Sequence, residues 1–177
     1  MSEQRIEVQR AIAADPPAIF AVLRDPQGHV AIDASGMLMS ADGEPAAAVG
    51  DRFVVHMDRD SLRDYDLGEY DVTVVISTLD PDREIAWTIE GVMQPPIGHV
   101  YGYRLEPVDG GTLVTSYYDW SDIHEQYRPI ADSVFPVISE TNLLATLGIL
   151  ARTVAPGRRR PGAGGTDRTG AAAAADS

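Results

Sequence analysis

The sequence predicts an α+β domain in which an antiparallel sheet of about seven strands packs against helices, with two short helices after the first strand and a long C-terminal helix. Three observations predict this fold class. An alternating segment and a capped helix open the chain, short apolar runs separated by turn residues occupy its middle, and a long amphipathic segment follows. Strands grouped between helices in this way are typical of antiparallel α+β domains.

The first strand and the two short helices each have a local signal. "RIEVQRAIA" alternates in polarity, as a half-buried strand does. Asp15 is a suitable N-cap with Pro16 at the first helical position, and this helix should end near Asp25. "DPQGHVAIDASG" predicts a second, broken helical segment. The apolar stripe of the first helix consists of Ile19, Phe20 and Leu23.

The middle of the chain predicts antiparallel strands. "MLMS", "DRFVVHMD", "GEYDVTVVISTLD" and "REIAWTIEG" are short apolar or alternating runs bounded by turn residues. "GHVYGYRLEPVDGGTLVTSYYDW", residues 98–120, then predicts a hairpin with Asp109-Gly110 as its turn. That turn pairs Val108 with Gly111 and then places four further pairs on one face: Leu105 with Val114, Tyr103 with Ser116, Tyr101 with Tyr118, and His99 with Trp120.

The last structured segment predicts a long amphipathic helix. Pro136 fits its first turn, and it should end near Val154. At about 100° per residue its apolar side chains form one broad arc that should pack on the sheet. The arc comprises Val137, Leu143, Leu144, Leu147, Leu150, Ala151 and Val154. Residues 156–177 lack large apolar side chains and predict a disordered Gly/Ala/Arg-rich tail after a domain spanning 1–155.

Composition excludes several classes of function. The chain has no cysteine, which excludes thiolate sites, and no lysine, which excludes a Schiff base or a P-loop. A net charge of −13 disfavours binding to nucleic acid. We find neither an apolar leader segment nor a run of about 18 apolar residues, so we expect a soluble, cytoplasmic protein without a membrane span.

The order of these elements resembles the polyketide cyclase/START-like (SRPBCC, Bet v 1-like) superfamily. "DPPAIFAVLRDPQGH" resembles its opening, "YRLEPVDGGTLVT" resembles its last hairpin, and the similarity spans about residues 3 to 154. The resemblance implies the helix-grip fold, in which a curved sheet grips the C-terminal helix and leaves an apolar cavity between them. It does not imply one activity, because such folds serve many functions.

From this resemblance we expect an apolar ligand, a lipid or a polyketide-like aromatic, inside the cavity. Rings on the inward face of the hairpin would supply an apolar body with an oriented donor. The alternative is that the same rings are ordinary core. The candidate ligand-binding residues are Trp87, Met93, His99, Tyr101, Tyr103, Ser116, Tyr118, Trp120, Glu140, Leu144 and Leu147. Met93 and Ile97 are gate candidates by analogy with such cavities.

Two charged features admit two interpretations each. Glu140 falls inside the apolar arc of the predicted helix, so it either enters the cavity or is a first-turn carboxylate that bends to solvent, which we favour slightly. His29 and Asp33 share one helix face and could form half of a metal site, but a local hydrogen bond is the simpler interpretation. We expect no metal.

Complete catalytic motifs are missing from the sequence. It contains no GxSxG elbow and no GxGxxG fingerprint, so we expect neither a serine hydrolase nor a dinucleotide cofactor. We predict a carrier or sensor of a small apolar ligand, without cofactors, as a monomer or homodimer. The alternatives are an aromatase/cyclase with catalytic candidates His99, Tyr118 and Glu140, and a co-chaperone-like interaction protein, which the polar outer face disfavours.

Overall fold

The computed structural model describes residues 3–162, and the end of the predicted tail, 163–177, lies outside the described residues. Each predicted element forms. The strands are β1 (Arg5–Ile12), β2 (Leu38–Asp42), β3 (Arg52–Asp58), β4 (Glu69–Asp80), β5 (Glu84–Glu90), β6 (Val100–Val108) and β7 (Gly111–Asp119). The helices are α1 (Pro16–Arg24), α2 (Pro26–Ile32), α3 (Ala131–Val134) and α4 (Glu140–Val154), with 3-10 turns at Asp60–Leu62 and Glu125–Ile130.

The strands form one antiparallel sheet of seven strands in the order β1-β7-β6-β5-β4-β3-β2. Strands β2 to β7 follow one another as a meander, and β1 pairs with β7 at the end of that meander. The predicted fold class is therefore confirmed: two short helices follow the first strand, and a long helix follows the last.

The predicted register of the β6–β7 hairpin is confirmed. Val108 pairs with Gly111 around the Asp109-Gly110 turn, and Tyr101 pairs with Tyr118 at the far end of the hairpin. Gly110 adopts a φ of 83°, in the left-handed region that favours glycine. The hydrogen-bonded pairing ends at Val100 and Asp119, so the fifth predicted pair lies just beyond it.

Helix α4 begins later than the sequence suggested. Pro136 lies in the preceding loop, and the extended residue Ser139 caps the helix by accepting a hydrogen bond from the backbone N–H of Asn142 at 3.1 Å. A serine cap therefore defines the start of α4, and the proline signal at Pro136 placed that start too early. No helix within residues 3–162 has the length and apolar character needed to cross a membrane.

Helix α4 packs over one side of the sheet. It contacts β1 and β7, and it also contacts α1 and α2. Leu143, Leu147 and Leu150 are buried on its inner face. Farther along the sheet the helices in contact are different ones: α1 lies against β6, and α2 lies against β2 and β3.

The outer face of the sheet is covered by charged side chains around one tyrosine. Tyr117 is buried although it points outward, because the guanidinium of Arg5 lies 4.4 Å from its ring centroid and that of Arg104 lies 5.5 Å away. Its hydroxyl donates to Glu84 Oε1 at 2.8 Å. The ring fits because its neighbour across the pair is Gly102, where a Cβ would lie 2.3 Å from Tyr117 Cζ.

Replacing Gly102 with alanine should destabilise the protein by about 2 kcal/mol, because the added methyl group overlaps a ring that three polar neighbours hold in place. Urea denaturation would measure the loss. The matched control is Gly102→Ala in a Tyr117→Ala background, where the penalty should vanish. A similar penalty in both backgrounds would show that the strand itself, rather than the ring, requires glycine.

Candidate functional site

A cavity of about 460 Å³ lies between strands β3 to β6 and the helices that face them. Its size falls within the range of small-molecule sites, and its lining is predominantly apolar. The part of the wall formed by the sheet consists of Val55, Met57, Tyr70, Val72, Val74, Trp87, Ile89, Tyr101 and Tyr103. Helices α2 and α4 contribute His29, Ile32, Leu143 and Thr146 from the opposite side.

A series of stacked rings connects the cavity wall to the core. We call this series the aromatic ladder, formed by Trp87, Tyr101, Tyr118 and Trp120. The successive ring centroids are 6.2, 4.6 and 5.2 Å apart, and each pair is near parallel. The first two rings line the cavity, while Tyr118 and Trp120 are buried on β7 and beyond, on the side of the sheet that α4 covers. The two ends of the ladder therefore lie in different environments, one in the cavity wall and the other in the core.

The structure places the predicted ligand-binding residues in three environments. Five line the cavity: Trp87, Met93, His99, Tyr101 and Tyr103. Four are buried outside the lining: Ser116, Tyr118, Trp120 and Leu147. Two are exposed: Glu140 and Leu144. The division follows from the position of α4, which packs directly on β7 and leaves no space there for a ligand.

Glu140 and Leu144, both candidate ligand-binding residues, lie outside the cavity lining. The arc was counted from Val137, but the helix begins at Glu140, and its buried face is centred on Leu143 and Leu147. Leu144 lies about 100° further around the helix from Leu143, and its side chain is 46% exposed. Glu140 is the first helical residue and is exposed to solvent, as the simpler interpretation held.

Two histidines of the cavity are neutral because they are buried. Desolvation lowers the pKa of His99 to about 4, and its Nδ1 lies in hydrogen-bonding contact, 2.8 Å, with the hydroxyl of Tyr118. Desolvation likewise lowers the pKa of His29 to about 4, although its Nε2 donates to the Leu23 carbonyl at 2.7 Å. Burial also raises the pKa of Tyr103 to about 12. All three groups are therefore uncharged polar groups at neutral pH.

Asp33 and Arg59 are the charged side chains among the described lining residues. Asp33 accepts from the backbone N–H of Ser35 at 3.0 Å and from that of Leu38 at 3.1 Å, and so organises the turn after α2. Arg59 is 7% exposed and forms a two-pronged ion pair with Asp64. The hydrogen bond to Asp64 is the largest influence raising the pKa of Arg59, with a smaller contribution from Tyr70, so the guanidinium stays charged.

Histidine and aspartate on α2 do not form a metal half-site in this structure. The ring nitrogen of His29 bonds to a carbonyl, and Asp33 bonds to the turn that follows the helix. Over residues 3–162 we find no group of three or more His, Cys, Asp or Glu side chains placed to hold a metal ion.

Comparison with known proteins supports the fold through structure and not through sequence. No family model and no curated protein matches the chain. A protein from Chromobacterium violaceum superposes with a TM-score of 0.63 at 16% identity, covering 86% of this chain and 98% of its own. A major latex-like protein from Panax ginseng gives 0.61 at 15% identity, with coverages of 86% and 97%. Norcoclaurine synthase from Thalictrum flavum gives 0.59 at 15% identity, with coverages of 87% and 94%.

The chain has the helix-grip fold. It shares this fold with the latex-like protein, with norcoclaurine synthase and with an AHSA1-like protein from Aeromonas hydrophila, which confirms the expected architecture. Because the identities are below 20%, the shared helix-grip fold carries no activity across to this chain, and its function is argued from the cavity.

Sequence analysis missed the contribution of the β3–β4 loop to the helix-grip cavity. That loop is highly charged, a composition typical of solvated loops, yet Arg59, Tyr65 and Leu67 all line the cavity. The apolar residues Tyr65 and Leu67 within a charged loop were the available signal. Exposed apolar side chains from separate loops surround the mouth of the cavity: Tyr65, Leu67, Val92, Met93 and Ile130.

The buried histidines should make stability depend on pH. With a folded pKa near 4 and an unfolded pKa near 6.5, each histidine binds a proton in the unfolded state first, so stability is present above pH 6.5 and declines as pH falls toward 4. The slope should reach up to about 1.4 kcal/mol per pH unit for each histidine within that window.

Urea denaturation at a series of pH values, on the wild type and on His99→Phe, measures this slope. The variant should show a shallower decline between pH 6.5 and 4, whatever its absolute stability. His124→Gln, which removes an exposed histidine, is the matched control and should retain the wild-type slope. An unchanged slope in His99→Phe would mean that His99 titrates alike in both states.

Proposed function

We propose that this protein binds a small, largely apolar ligand in the cavity between strands β3 to β6 and helices α2 and α4, as a carrier or sensor. The observation that carries the proposal is a cavity of about 460 Å³ with a predominantly apolar wall, in a chain whose sheet and helices otherwise pack a continuous core. An empty apolar cavity forgoes the dispersion contacts that a filling ligand would supply. Ligand binding should therefore stabilise the fold.

The polar groups of the wall suit recognition of such a ligand. His99 and Tyr103 are held uncharged by burial, so each can offer a hydrogen bond without the cost of desolvating an ion. Trp87 and Tyr101 present large ring surfaces to the same space. A few fixed polar groups on a predominantly apolar wall orient a ligand while the apolar contacts provide most of its affinity.

The cyclase alternative has less support from the geometry. Of its three catalytic candidates, His99 lines the cavity, whereas Tyr118 is buried in the core and Glu140 is exposed. General acid–base catalysis works best with a pKa near the working pH, and burial holds the pKa of His99 near 4 and that of Tyr103 near 12. Norcoclaurine synthase shows that a protein with this fold can be an enzyme, so turnover is a question separate from binding.

The interaction-protein alternative would need a large apolar patch on the outer face of the sheet. That face instead carries the ion pairs of Arg5 with Glu7 and Asp119, and of Arg104 with Glu7, around the buried ring of Tyr117. Five exposed apolar residues, Tyr65, Leu67, Val92, Met93 and Ile130, belong to the cavity lining instead, where they suit the entry of a small ligand.

Fluorescence titration with the neutral apolar probe N-phenyl-1-naphthylamine tests the proposal. The wild type should bind the probe and should melt at a higher temperature in its presence. Ile89→Trp places a large ring in the cavity from β5 and should weaken binding at least about tenfold by occupying the space. Native mass spectrometry of the purified protein would in parallel reveal any compound that travels with it.

The matched control is Thr88→Trp, because Thr88 is the neighbour of Ile89 on β5 and lies outside the cavity lining. This variant should bind the probe as the wild type does. Absence of probe binding and of any thermal shift in the wild type, with no compound bound after purification, would contradict the proposal.

A further inference from the structure

One polar position in the cavity wall has a donor that the protein itself satisfies poorly. Arg59 follows β3, and its guanidinium reaches the cavity although the residue is 7% exposed. Its Nε donates to Asp64 Oδ1 at 2.8 Å and its Nη2 donates to Asp64 Oδ2 at 2.7 Å. These two bonds fix the plane of the guanidinium and determine which way its remaining nitrogen points.

That remaining nitrogen, Nη1, donates to the thioether sulfur of Met37 at 3.3 Å. A thioether is a weak acceptor, and a buried guanidinium N–H normally pairs with an oxygen. Met37 also lines the cavity, so the contact lies on its wall. The ring of Tyr65, whose centroid is 5.2 Å from the guanidinium carbon, covers Arg59 from another side.

Asp33, the other charged residue of the wall, differs from Arg59 because both of its carboxylate oxygens have strong hydrogen-bond donors. Asp33 Oδ1 accepts from the backbone N–H and the hydroxyl of Ser35, and Oδ2 accepts from the backbone N–H of Leu38. Its oxygens are thus engaged by the turn that follows α2. Arg59 is therefore the charged group of the cavity whose hydrogen-bonding capacity is left for a ligand.

We propose that Arg59 binds an anionic oxygen group at one end of the ligand, with Nη1 as the donor, while the apolar body of the ligand fills the rest of the cavity. This assignment rests on the proposed function and adds the chemical class of the ligand: an amphipathic acid, such as a carboxylate on an alkyl or aromatic body. The bond to Met37 Sδ would be exchanged for a charge-assisted bond to oxygen, which is much stronger in a desolvated site.

Asp64 is the counter-ion of Arg59 and should compete with an anionic ligand for it. In the free protein its carboxylate compensates the buried charge of Arg59, and the hydroxyl of Tyr70 is a weaker second partner of the guanidinium. An incoming anion shares the guanidinium with Asp64, and the negative charge of Asp64 repels that anion. Removing the charge of Asp64 should therefore strengthen binding of an acid, whereas removing the charge of Arg59 should weaken it.

Competition between the bound N-phenyl-1-naphthylamine probe and either decanoate or decan-1-ol tests the assignment, since the two competitors share one alkyl chain and differ in charge. Arg59→Met should weaken decanoate about tenfold, the usual size of a charge-assisted hydrogen bond, while decan-1-ol should lose much less. Asp64→Asn should strengthen decanoate relative to decan-1-ol. Two changes of opposite sign cannot both arise from partial unfolding.

Arg63→Met is the matched control, because Arg63 is an exposed arginine in the same loop and its replacement changes the net charge by the same amount. It should leave both competitors unaffected. Equal losses for the acid and the alcohol in Arg59→Met, or an equal loss of decanoate in Arg63→Met, would overturn the assignment while leaving the apolar cavity intact. A wild type that never binds the probe would instead overturn the proposed function itself.

Discussion

The placement of α4 on one side of the sheet determines most of what this structure can do. The helix packs its leucine face onto β1 and β7, so that part of the sheet becomes solid core. Strands β3 to β6 enclose the cavity together with residues of α2, α4 and the loops. A helix placed centrally on the sheet would bury the same leucines but would leave no space of this size. The hollow is therefore a consequence of packing geometry and not of unusual side chains.

The aromatic ladder is one continuous set of ring contacts that joins the cavity wall to the core beneath α4. Cross-strand pairing places Trp87 beside Tyr101 and Tyr101 beside Tyr118, so the rings stack from the cavity into the core. At the core end the rings are fixed by the packing beneath α4, and this rigidity extends to the two rings that line the cavity. His99 contacts Tyr101 and Tyr118 at the junction and stays neutral because burial lowers its pKa.

The charged loop between β3 and β4 gives the cavity its chemical polarity. Arg59 enters a predominantly apolar wall, and Asp64 compensates its charge from the same loop. On the outer face, by contrast, arginines lie over Tyr117 and form ion pairs that solvent screens. Arginine thus forms weak, solvent-screened ion pairs on the outer face and a strong, buried ion pair at the cavity. The difference arises because burial determines how strongly its charge interacts.

Sequence alone determined the elements, their order and the pairing of the last hairpin, because alternation, turn residues and caps act between neighbours along the chain. It also identified His99, Tyr101 and Tyr103 as residues of the cavity wall, because they share one face of the hairpin. Tertiary structure decided the rest. It showed that α4 begins at Ser139's cap, that Leu144 faces solvent, and that the same hairpin face is divided between cavity and core. Those facts depend on where a helix lies over a sheet and on how a loop folds back, which no local pattern encodes.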